Sequence, residues 1–162
     1  MTLTTHAIVG GAIVSLMPVH PLLGVCMAFA SHFLLDAIPH WDYPIRSASM
    51  NPEIAGSMKY DRALFADMVT IGADALLGIV LALILFATQR IIILVLLGAC
   101  AGILPDALQF AYMRFPRQPL ASLQRFHQWS HTSHKLSNPL LGVLSQSTFV
   151  VAFVMIVRAL IP

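Results

Sequence analysis

The chain has 162 residues, 58% hydrophobic and 10% charged, with a formal net charge of +2. Soluble domains carry about 25% charged residues, so this composition argues against a soluble fold and for an integral membrane protein. No basic or acidic block is present, which argues against a nucleic-acid partner and leaves the lipid bilayer as the expected one.

The hydropathy pattern predicts an all-α fold, a polytopic membrane helical bundle forming a single domain over 1–162. About five membrane-inserted helices are expected, at 3–17, 21–38, 64–88, 91–113 and 138–160, plus one amphipathic interfacial helix. The first segment carries His6 and the pair Gly10-Gly11, which permits close helix packing. It lacks a basic flank, so no cleavable signal is expected. Pro18-Val-His20-Pro21 separates it from the second segment. Spanning only 3–17, the first segment is short for a full crossing, which takes about 20 residues. Cys26 and Cys100 lie within apolar sequence and read as packing residues.

A polar stretch from Pro39 to about Asp61 contains Pro44, Asn51-Pro52 and Gly56 and reads as a loop. Segments three and four are separated by Gln89-Arg90, and Gly72, Ala75 and Gly78 offer a small-residue face for a partner. A second polar stretch runs over 114–137. Within it, Pro119 to Lys135 has Leu120, Leu123, Phe126 and Trp129 at the spacing of an interfacial helix. The last segment starts at Asn138-Pro139, with Pro in the first turn. Arg46, Lys59, Arg62, Arg114, Arg117, Arg125 and Lys135 fall on one side and only Arg90 and Arg158 on the other, so the loop side is expected to face the cytoplasm.

Ionisable residues inside apolar segments are costly and usually functional. Helix alternation is expected to bring His6, His32, Asp36, Asp67, Asp74 and Asp106 toward one leaflet, together with the run His127 to His134. His32 and Asp36 are four residues apart, and so are His127 and His131, so each pair is expected to share a helix face and grip one ion. Gln128 stands where a zinc protease would carry its Glu, which disfavours proteolysis. The metal ligands expected are His6, His32, Asp36, His127 and His131, with Asp74, Asp106 and His134 as catalytic groups. The cofactor expected is a divalent metal, with zinc first. His40-Trp41-Asp42 reads equally well as an interfacial anchor or as part of the site.

Thr5-His6 with Gly10-Gly11, followed by Ser31-His32-Phe-Leu-Leu-Asp36-Ala-Ile-Pro39-His40-Trp-Asp42, resembles the membrane-bound metal-dependent hydrolase group. That group takes in the inner-membrane-associated, LexA-binding type hydrolases. It is distantly similar to the zinc-dependent phospholipase C and P1 nuclease superfamily. The resemblance covers the first quarter of the chain best. It implies a bacterial or archaeal cytoplasmic membrane, His32-x-x-x-Asp36 as a metal-holding pair, and His6 as an early metal-site histidine. The chain lacks a second His-x-x-x-Asp of the soluble pattern and has His127-x-x-x-His131 instead. The function expected is hydrolysis of a phosphoester or lipid-like substrate at the cytoplasmic membrane face. The alternatives are a proton- or metal-ion-coupled transporter or channel subunit, disfavoured by the scarcity of polar groups on the far side, and a non-catalytic structural membrane protein.

Overall fold

The computed structural model describes residues 1–47 and 61–160, which hold six α-helices and no strand. These are α1 (Leu3–Ser15), α2 (Pro21–Asp36), α3 (Arg62–Phe86), α4 (Ile92–Arg114), α5 (Leu120–Ser130) and α6 (Pro139–Leu160). Asn51, Pro52, Gly56 and Lys59 of the sequence reading lie outside the described residues.

The expected five membrane-inserted helices are corrected here. Three helices, α3, α4 and α6, are long and apolar enough to cross a membrane, whereas α1 and α2 are shorter. The 13 residues of α1 reach about 20 Å and the 16 of α2 about 24 Å, against a hydrocarbon core of about 30 Å. For α2, which exposes Leu22 and Leu34, the shortfall is length alone, whereas for α1 the physical reason for the misreading is burial. Helix α1 is hydrophobic all round because it is enclosed, with Ala7, Ala12 and Val14 fully buried among α2, α3, α4 and α6. Helices α3, α4 and α6 instead expose Leu76, Ile84, Ile93, Met155 and Ile156, as a lipid-facing surface does. Cys26 on α2 and Cys100 on α4 are free and exposed, so they are surface residues instead of packing residues.

Glycine sets how closely α1 approaches its neighbours. Gly98 and Gly102, four residues apart on α4, meet α1 backbone to backbone at Gly10 and at the His6 carbonyl. A Cβ at either would run into those carbonyls. Gly78 on α3 likewise faces Thr4 and Ala7 of α1, so that small-residue face serves the interior here, while Gly72 has nothing near it.

Two helix starts, those of α3 and α6, carry side-chain caps. Asp61 accepts from the N–H groups of Ala63 and Leu64 at 2.9 and 3.1 Å, and Asn138 from those of Leu140 and Leu141 at 2.9 and 3.2 Å. The amphipathic helix ends at Ser130, five residues before its expected end. Beyond it the chain runs extended beside the segment that follows α2. Thr132 N–H donates to the Asp36 carbonyl at 2.8 Å and Leu136 N–H to the His40 carbonyl at 2.9 Å. This short backbone ladder ties two distant loops together over the cluster described next.

Candidate metal centre

Asp36 is the last residue of α2 and is 1% exposed. Its two carboxylate oxygens look in different directions. Oδ2 faces His32 Nε2 at 3.2 Å and His127 Nε2 at 3.1 Å. Asp106 Oδ1 stands 3.5 Å from His32 and 3.8 Å from His127. These four residues form one group whose donor atoms all lie within 4.8 Å of one another. Asp36, His40 and His131 form a second such group. His40 Nε2 lies 3.9 Å from Asp36 Oδ1, and His131 Nε2 lies 3.9 Å from Asp36 Oδ2.

Tautomers follow from the outer nitrogens. A carbonyl oxygen only accepts, so a ring nitrogen bonded to one must carry the proton. His32 Nδ1 donates to the Gly102 carbonyl at 2.8 Å, His40 Nδ1 to the Ile38 carbonyl at 2.7 Å, and His131 Nδ1 to the Thr132 carbonyl at 3.1 Å. When these rings are neutral, each turns the lone pair of Nε2 toward the carboxylates. That is how metal-binding histidines are oriented by their outer hydrogen bonds. His40 is fully buried, and its Nε2 makes no hydrogen bond although Asp42 Oδ1 is 2.9 Å away. A buried acceptor without a donor is costly, and a cation would satisfy it.

Charge is arranged to match. Burial pushes the Asp42 carboxyl up, but His40, the Met1 α-ammonium and Lys135 together hold it well below the usual carboxylate range. Met1 Nα is 2.8 Å from Asp42 and 3.0 Å from Asp36. Burial lowers the His131 imidazole below its ordinary value, with nearby carboxylates opposing, so the ring is kept neutral and able to bind a metal.

No family model, curated protein or solved structure matches the chain. The reading of the centre therefore rests on its geometry.

The structure brings His6, His32, Asp36, Asp106, His127 and His131 together. His6 belongs to neither donor group. Its Nε2 lies 3.1 Å from Asp36 Oδ1 and its ring stacks on His32 at 4.0 Å between centroids, so it braces both. Asp106, expected as a catalytic group, stands among the potential ligands. His127 and His131 do not act as one helical pair. His127 is on α5, but His131 caps it with extended backbone (ψ 133°), so the two rings fall to different groups.

Two expected catalytic residues are elsewhere. The Asp74 carboxylate accepts from the N–H groups of Leu3 and Thr4 at 2.7 and 3.2 Å and from the Thr4 hydroxyl, fastening the start of α1 to α3. His134 is exposed, with Ser133 Oγ 3.4 Å from its Nδ1. Asp67 is also remote and accepts from Arg46 and Ser47 N–H at 2.9 and 2.7 Å.

His40 and Asp42 are the residues that sequence reasoning left undecided. Asp36-x-x-x-His40 repeats the spacing of His32-x-x-x-Asp36, which was a usable signal. What holds them is tertiary. Trp41 packs on Gly142 of α6, and buried Gln146 donates to the Trp41 carbonyl at 2.9 Å.

Proposed function

We propose that the chain is a membrane-bound metal-dependent hydrolase whose two donor groups, which share Asp36, would each hold a divalent ion. One observation carries this reading. Three imidazoles present Nε2 toward shared carboxylates, each with its Nδ1 committed to a backbone carbonyl. His40 Nε2, buried 2.9 Å from Asp42 Oδ1 but outside hydrogen-bond geometry, presents when neutral a lone pair that a bound cation would satisfy.

His32, Asp106 and His127 would hold one ion with Asp36, and His40 and His131 the other. Mixed imidazole and carboxylate donors suit zinc. Such ions supply a bound water of lowered pKa and a Lewis acid for the scissile ester. The chain supplies the rest. Asp106, 30% exposed, also lines a cavity of about 820 Å³ beside the cluster. From there it is placed to carry the proton of the attacking water to the departing alcohol oxygen. The substrate we favour is a phosphoester, and the resemblance around His32-x-x-x-Asp36 points the same way. The excess of basic residues on the loop side supports a centre that faces the cytoplasm.

Elemental analysis of the purified protein tests the reading. About two equivalents of metal are expected, lost with a chelator together with hydrolysis of bis(p-nitrophenyl) phosphate. Protein that takes up no stoichiometric metal would end the proposal.

A further inference from the structure

The cavity beside the centre extends away from it as an apolar slot between α3 and α4. Met68, Ile71 and Ala75 line it from α3, and Ile103, Ala107 and Phe110 from α4. The spacings i, i+3, i+7 and i, i+4, i+7 put each trio on one helix face. Asp106 lies on the same α4 face and lines the same cavity, so the wall of the slot leads directly to a candidate ligand.

Both walls are helices long and apolar enough to cross a membrane. Asp106 sits eight residues before Arg114, the end of α4, which is about 12 Å along the axis. The cluster therefore lies below the polar end of α4, at a depth where lipid chains begin. Beside the cluster, Thr132, Ser133 and Lys135 add hydroxyls and an ammonium to the lining, with Thr132 bonded to the Asp36 carbonyl and Lys135 to the Asp42 carboxylate. A space of about 820 Å³, apolar along its length with polar groups gathered at one end, has the form of a small-molecule site.

We propose that this slot takes a hydrocarbon chain of an anionic phospholipid, with the lipid phosphate at the His/Asp cluster. Asp36, Asp42 and Asp106 line the polar end against Lys135, which is paired with Asp42 at 2.8 Å, and the Met1 ammonium. Two bound cations would reverse that balance and favour a phosphate over a neutral head. The chemistry rests on the hydrolase reading, whereas the occupancy of the slot rests on the cavity.

Photolabelling tests occupancy without reading activity. The full chain is placed in phosphatidylcholine nanodiscs with phosphatidic acid carrying a diazirine in its acyl chain. Diacylglycerol with the same labelled chain is the neutral comparison. Phosphatidic acid should label Ile71, Ala75, Ile103 and Ala107 about tenfold more than diacylglycerol does, a difference of about 1.4 kcal/mol in affinity. Exposed Leu76, on the outer face of α3, should be labelled equally by both. Filling the slot by Ala75→Trp, or by Ala107→Trp should the first variant misfold, should abolish the preference while metal content is unchanged. Equal labelling by the two probes, or labelling that survives both substitutions, would overturn the proposal. Intact labelling in a protein without metal would keep the slot and remove the hydrolase reading.

Discussion

His32, Asp106 and His127 reach Asp36 from three helices, whereas His40 and His131 reach it from extended segments just past helix ends. The first group inherits its geometry from helix crossings. Its His32 is aimed by the carbonyl of Gly102, the same residue whose missing side chain lets α1 touch α4. The second group inherits its geometry from the ladder between the segments after α2 and α5, and from Trp41 seated on α6. One centre thus draws on two kinds of support, and Asp36, at the end of α2, belongs to both. A perturbation of helix packing should reach one half first, and a perturbation of the loops the other.

The largest effect should come from the residue the halves share. Asp36→Asn keeps the shape but removes the charge, and metal content should fall from two equivalents to none. A retained equivalent in this variant would show that the halves do not depend on a common bridge. Single substitutions in each half should then divide the centre. His32→Ala should lose the first ion and keep the second, and His40→Ala should do the reverse, as read by metal titration. Loss of both ions from His40→Ala would mean that the second group supports the first instead of binding an ion of its own. Next in size is Gly102→Leu. Overpacking against the His6 carbonyl should cost about 1–3 kcal/mol of stability in a thermal melt. It should weaken the first group more than the second, because only His32 hangs on the Gly102 carbonyl.

Much of this architecture was readable from apolar segment lengths, and the misreadings have physical causes. Composition does not separate a helix wrapped in lipid from one wrapped in protein, so α1 scored as inserted although other helices enclose it. For the centre, periodicity found His32 and Asp36 because both lie on one regular helix. It misjudged His127 and His131 because the helix ends between them, a boundary set by the ladder at Thr132 and Leu136. It left His40 and Asp42 undecided because their placement depends on Gly142 and Gln146, about a hundred residues further along the chain.

Asp74 gives the smallest expected effect and a clean separation of two roles. An acidic residue in an apolar helix reads equally well as a catalytic group or as an anchor. Here its carboxylate takes up two N–H groups at the start of α1 that no helical carbonyl can reach, together with the Thr4 hydroxyl. Asp74→Ala should therefore behave like the loss of a helix cap, costing about 0.5–2 kcal/mol of stability. Metal content should stay at its wild-type value, since neither donor group includes this residue. Loss of an ion from a folded Asp74→Ala protein would mean that the start of α1 positions the centre through His6. That coupling can be checked directly, because His6→Ala would then remove the same ion.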